Sequence, residues 1–467
     1  MFETALHPRS FDRLVRSVRD GQVERFRASL ARTTARLGDR SIVHINSTAE
    51  GGGVAELLRS NLGYLAAEGL HVRWLVFEGD PPFFQITKRL HNRLHGDLGD
   101  LGPLASEERA HYDAVTTRNL EHAVALVSPG DVVVVHDPQP LGLIPGLLDH
   151  GAHVLWTCHV GADITNDVTR SAWEFLMPYA QRAAAYIFTR KAYVWDGLDP
   201  RRVALIPPCI DPLSQKNIDL APDRCAAIMR ATGLEDGVAH GDAVFERGDG
   251  RLERVVRKAE MLEHAPVPAG APIVTQVSRW DRLKDPVGVL QGFADEPGLD
   301  GVHLILAGPA PSSVADDPEA ESVLTMLRDA WLAQPSALRE RIHIANLPMA
   351  DVDENAVIVN ALQRSSNVVV QKSLAEGFGL TVTEAMWKER PIVAGAVGGI
   401  ADQIDSGEQG LLVDPRDLPT FGHAVRSLSL DPARAHELGT AAKLRVRERY
   451  LPPRYLSQYL ELIERSM

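Results

Sequence analysis

Short apolar runs alternate with longer stretches of helical spacing along most of this chain. Residues 41–46 (Ser-Ile-Val-His-Ile-Asn) form an apolar run that predicts a strand, and 54–68 carry the 3.6-residue spacing of a helix. Further strands are predicted at 72–78, 132–135, 154–157 and 186–188. The same alternation restarts at 273–277 and continues through 303–306, 342–344, 368–370 and 392–394. Strands separated by helices build βαβ units on a parallel sheet. Two such runs predict an α/β chain of two doubly wound, Rossmann-like domains facing each other across a cleft. Ahead of the first run, Leu14, Val18, Val23, Phe26, Leu30 and Leu37 mark one or two amphipathic helices, and 453–467 predict a helix that closes the chain. Residues 235–270, rich in Gly, Asp, Glu and Arg, read as an exposed excursion near the junction. The expected division is 1–215 for the first domain, 216–272 for junction and excursion, and 273–450 for the second domain. The terminal helix, 451–467, should pack back on the first.

Composition narrows the class. The 467 residues are 45% hydrophobic and 24% charged, which fits a globular protein and excludes disorder or collagen. Net charge is 49 − 62 = −13, which argues against a nucleic-acid coat. Three cysteines without a C-x-x-C pair suggest neither a disulfide framework nor a zinc ribbon. Residues 1–37 are studded with arginine and lack the apolar core of a secretory signal, and no run of about 18 apolar residues occurs. A cytoplasmic protein without membrane or nucleic-acid partners is expected. Apolar stripes on the leading helices could pair two copies as a homodimer.

Three clusters carry candidate chemistry. Gly51, Gly52 and Gly53 sit where a strand turns into a helix, where glycines let backbone amides approach an anion or a sugar. A dinucleotide fingerprint would need a further glycine at Glu56, and a tight packing turn is the plain alternative. In the second cluster, Arg279 and Lys284 lie five apart on a turn after a strand, so both could clamp a diphosphate; ordinary surface charges would look the same. The third is a Gly-Phe-Gly turn flanked by Glu376 and Glu384. Gly377, Phe378, Gly379, Leu380 and Thr381 offer amides to phosphate or hydroxyls, and Glu384 lies too deep in its helix to be a mere dipole-stabilising acid.

Other features have cheaper readings. Asp351-Val-Asp353 has the D-x-D form of some metal-dependent transferases, yet it precedes a predicted helix, where acids favour the N-terminus. His91 and His95 have zinc-compatible spacing but lack a metalloprotease glutamate between them, because Asn92 stands there. Cys158 ends a strand and reads as core, whereas His159 should face the cleft.

Together the clusters resemble the retaining glycosyltransferases of the GT-B fold, family 4. His44-Ile-Asn-Ser-Thr, His136-Asp-Pro-Gln-Pro, the 207–214 string and the 376–387 string look like the branch shared by trehalose glycosyltransferring synthases and retaining trehalose phosphorylases. The resemblance implies a glucosyl unit moved from a nucleoside-diphosphate sugar to a sugar acceptor, with phosphorolysis of trehalose or a sugar-coupling transferase of secondary metabolism as alternatives. It assigns catalytic roles to His159, Arg279, Lys284 and Glu376. Donor contacts fall to Gly52, Gly53, Arg279, Lys284, Glu376, the five residues of the turn, and Glu384. Gly51, His136, Asp137 and His159 take the acceptor. Neither a metal nor another cofactor is expected.

Overall fold

In a computed structural model the described residues are all but 50, 51, 240, 241, 248, 249 and 312–318. They divide into two compact units, Met1–Asp211 with Glu448–Met467, and Pro212–Arg447. Each is built on its own seven-stranded sheet among the described residues.

The sheet of the first unit contains β1 (Phe2–Thr4), β2 (Ile42–Asn46), β3 (Val72–Val76), β4 (Val132–His136), β5 (His153–Cys158), β6 (Ala185–Phe188) and β7 (Val203–Leu205) in the order β1-β3-β2-β4-β5-β6-β7. All neighbours are parallel except β1, which pairs antiparallel with β3 along Phe2↔Val76. β2 and β4 are buried along their whole length, as strands covered by helices on both faces must be. The terminal helix Pro452–Ser466 belongs to this unit and packs on the leading helix Asp20–Leu37, where Arg25 binds Glu461 through two nitrogens and Thr33 donates to the Leu460 carbonyl.

The second unit continues the chain with β8 (Val244–Glu246) and β9 (Leu252–Arg254), a separate antiparallel hairpin, and then β10 (Glu260–Leu262). The sheet proper adds β11 (Ile273–Val277), β12 (His303–Pro309), β13 (Ile342–Leu347), β14 (Val368–Gln371), β15 (Ile392–Gly395) and β16 (Leu411–Val413), ordered β10-β13-β12-β11-β14-β15-β16. Residues 235–270 are therefore not simply an exposed excursion. β10 pairs antiparallel with β13, and Phe245, Val255 and Val267 are buried in one core with Ile358 and Leu362 of the helix Val352–Ser365. Alternating charged residues hid these short, non-local pairings.

Strand order reverses between β2 and β4 in the first sheet and between β11 and β14 in the second. In doubly wound sheets, ligands bind beyond the strand C-termini at such a reversal, because the flanking connections leave on opposite faces and open a crevice. Among the described residues, the candidates lie at the ends of these strands or on the segments that leave them, except His159, which follows the neighbouring β5.

Candidate active site

In the second unit, β11 and β14 are hydrogen-bonded neighbours, so their following loops run side by side. The β11 loop carries Arg279, and Asp281 caps a single 3-10 turn, Arg282–Lys284, by accepting from the Leu283 amide. Asp285 then takes the left-handed conformation (φ 48°) and starts the helix Pro286–Ala294. Fully buried Lys372 holds that aspartate by an ion pair and donates to the Pro415 carbonyl at 2.6 Å. The Leu374 amide meets the Leu283 carbonyl at 2.7 Å, stitching the two loops together.

This stitching brings Lys284 Nζ to 2.5 Å from Glu376 Oε2. Ser373 Oγ donates to the same oxygen at 3.1 Å and receives from Gln371 Nε2 at 2.9 Å, while Thr381 Oγ1 donates to Gln371 Oε1 at 3.1 Å. A continuous run of donors thus ends on the Glu376 carboxylate. Arg279 lies 3.5 Å from Asp281 on the same edge. Gly379 caps the helix Leu380–Trp387 with φ 87°, and a Cβ there would come within 3.0 Å of Ile400 Cγ1. Gln403 receives from Thr383 Oγ1 at 2.6 Å and donates to the Phe378 carbonyl at 2.5 Å, fixing the turn from outside. Gly399 lets the turn lie so close, since a Cβ on it would sit 2.6 Å from Phe378 Cα. Glu384, buried in that helix, faces Lys216 at 3.8 Å.

In the first unit, Gly52 caps the helix Gly53–Ala67 in an extended conformation, and among the described residues a Cβ there would meet Thr48 Cγ2 alone, at 4.0 Å. Among the described residues, neither backbone strain nor crowding calls for glycine there, and its missing side chain leaves the helix N-terminus open on that side. Gly51 lies outside the described residues. One strand over, Asp137 adopts φ 62° after β4, donates its amide to the Thr157 carbonyl and accepts the His159 amide at 2.8 Å. Burial pushes the Asp137 carboxyl up, against the pull of His159. Burial likewise lowers His159 and takes His136 well below the ordinary histidine value, so both rings are neutral near pH 7.

The structure groups Arg279, Lys284, Glu376, the 377–381 turn and Glu384 within one unit, and Gly52, Gly53, His136, Asp137 and His159 within the other. Sequence reading gave no individual role to Lys372, Ser373, Gln403, Lys216 or His44, although His44 opens one of the strings that carry the resemblance. Lys372, Gln403, Lys216 and His44 meet partners far along the chain, which no local spacing signals, whereas Ser373 bonds within its own loop to Gln371 and Glu376. Asp351 is a helix cap, accepting from the amides of Asp353 and Glu354 at 3.1 Å, and its carboxylate is also bound by Arg247. His95 Nδ1 lies 2.8 Å from the Gly161 carbonyl, a structural contact. Among the described residues, no group of three or more His, Cys, Asp or Glu is arranged to hold a metal ion, and no helix is long and apolar enough to cross a membrane.

Comparison with known proteins agrees with this architecture. Residues 44–195 match the family described as trehalose synthase, N-terminal domain, and 258–445 match glycosyl transferases group 1. The trehalose synthase of Pyrococcus horikoshii is 35% identical over 92% of this chain and 90% of its own length. That of Rubrobacter xylanophilus is 34% identical over 94% and 93%. Among solved structures, an alpha,alpha-trehalose-phosphate synthase (UDP-forming) from Burkholderia vietnamiensis superposes with a TM-score of 0.65 at 18% identity, covering 92% of this chain and 99% of that one, a likeness of fold. The chain has the two Rossmann-like sheets of the GT-B class, and it belongs to the trehalose synthase family of glycosyltransferases.

Proposed function

We propose that this enzyme moves a glucosyl unit from a nucleoside-diphosphate glucose to free glucose, giving α,α-trehalose with retention at the donor's anomeric carbon and without a metal ion. The observation that supports this best is the Lys284–Glu376 pair beside Arg279 at the β11/β14 reversal, in a chain whose relatives are named trehalose synthases. As the glycosidic bond breaks, negative charge grows on the departing diphosphate. Arg279, Lys284 and the amides of the 377–381 turn are placed to stabilise that charge through charge-assisted hydrogen bonds. Glu376 then orients the donor sugar through its hydroxyls, and Glu384 anchors the ribose. Gly52 and Gly53 offer open amides to the donor, while Gly51, His136, Asp137 and His159 serve the acceptor.

A double-displacement route needs a carboxylate nucleophile close beneath the sugar. Glu376 already accepts from Lys284 and Ser373, an arrangement suited to recognition. We therefore favour front-face substitution, in which the leaving phosphate takes the acceptor's proton; a covalent glycosyl-enzyme trapped with a slow fluorinated donor would overturn it. The function itself is tested with ADP-, UDP-, GDP- and TDP-glucose against glucose, reading product anomers by NMR. Trehalose formed with one or more donors, and turnover lowered at least about 100-fold in Arg279→Ala, is the expected result. Glucose 1-phosphate released from trehalose and inorganic phosphate, with no transfer from any nucleotide sugar, would instead identify a phosphorylase.

A further inference from the structure

Three histidines on adjacent strands of the first unit form a line. His44 lies within β2, His136 ends β4 and His159 follows β5. His44 Nδ1 is 2.9 Å from His136 Nε2, and His136 Nδ1 is 3.3 Å from His159 Nε2. The ring planes are 25° apart in the first pair and 4° in the second. His44 and His136 are buried and His159 is half-buried. Among the described residues, Asp137 accepts the His159 backbone amide, and the Tyr459 ring lies 6.3 Å from that of His44 with its hydroxyl engaged by Thr157.

A neutral imidazole carries one N–H and one bare nitrogen. In each contact one nitrogen must donate and the other accept, because two N–H groups would repel and two bare nitrogens would leave a buried contact unmade. Two ordered arrangements satisfy both contacts. In one, all three rings carry the proton on Nδ1, and His159 presents an N–H at its outer nitrogen. In the other, all three carry it on Nε2, and His159 presents a bare nitrogen there. The tautomer at the buried end of the row is therefore tied to whether the outer ring nitrogen donates or accepts.

We infer that His44 is a positioning residue, which sets the tautomer of His159 through His136 and so fixes the hydrogen bond that His159 offers to a sugar hydroxyl. The second half of this statement rests on the functional reading above; the tautomer coupling does not. It is tested on the full chain labelled with 15N-histidine, using long-range proton–nitrogen correlations assigned with single His→Gln variants. The expected result is one shared tautomer for His44, His136 and His159, and a changed tautomer balance at His159 in His44→Phe. Unlike tautomers among the three in the wild-type protein would overturn the inference, even if His44→Phe fails to fold. With nucleotide-sugar substrates, His44→Phe should lower kcat about tenfold or more with little change in donor KM, and His44→Asn, which can donate or accept at the Nδ1 position, should recover most of it. Loss in donor KM alone would also count against it. An enzyme inactive with every nucleotide sugar but showing the shared tautomer would sink the functional reading and leave the coupling intact.

Discussion

Gly379 shows how much of the candidate site depends on one missing methyl group. Its φ of 87° costs an L-residue on the order of 1–3 kcal/mol, and a Cβ would also press on Ile400 Cγ1 at 3.0 Å and Glu376 Cγ at 3.3 Å. Gly379→Ala should therefore lower the melting temperature by several degrees and raise donor KM, because relief requires the turn beside Glu376 to move. Thermal unfolding and initial-rate kinetics read the two effects separately. The cysteines illustrate the opposite case, side chains with reactive chemistry and an inert setting. Burial pushes the Cys158 thiol well above its usual range and that of Cys209 up to about 12, and it raises Cys225 as well. Only the thiolate reacts readily. A native sample at pH 8 should give essentially no rapid colour with Ellman's reagent, and three thiols should appear after denaturation. Rapid labelling of any one in the native state would contradict this.

At the scale of elements, the segment 235–270 separates what sequence pattern reveals from what it hides. The ten central strands of the two sheets were readable to within a few residues, since fully buried parallel strands appear as apolar runs between turn residues. β1, β7, β10 and β16 were not, because each is an edge strand of three residues, too short to stand out as an apolar run. The candidate turn at 376–381 was readable through its glycines and its two acids. Gln403 and Lys372, which hold that turn and its neighbour, were invisible because they arrive from another helix and from a buried strand end. Glu354 shows what anchors the hidden segment: buried at the start of the helix Val352–Ser365, it accepts from the amides of Val256 and Arg257 at 2.7 and 2.8 Å and from the Arg257 guanidinium. Glu354→Ala leaves those donors unpaired and should cost about 1–3 kcal/mol per amide that stays dry. Hydrogen exchange should rise first at 252–262, with β11 and β14 keeping their protection. Uniform exchange across the unit would show instead that this segment and the sheet open together.

The whole molecule responds to acid through its buried histidines. Burial lowers His44 to about 3 and His303 to about 4, takes His136 well below its ordinary value, and lowers His153 and His159. In the unfolded chain all five titrate near pH 6.5. Between that value and its folded value, each histidine is protonated when unfolded and neutral when folded, so the unfolded state binds more protons and stability falls as pH falls. The contribution is whole above about pH 6.5, declines through the window down to about 4 for His303 and about 3 for His44, and changes no further below it. For buried His44 the slope approaches ~1.4 kcal/mol per pH unit inside its window. Asp137 works in the opposite sense, since its raised carboxyl takes up a proton in the folded state first, but it is one group against five. The urea midpoint should therefore fall steadily from pH 6.5 to about 5, above the range in which carboxylates of the unfolded chain take up protons. His44→Asn should flatten the part of that slope belonging to His44, provided its midpoint at pH 7.5 stays near that of the parent. A midpoint independent of pH between 6.5 and 4.5 would mean that these histidines reach solvent in the folded protein, and the ordered row across β2, β4 and β5 could not then be dry.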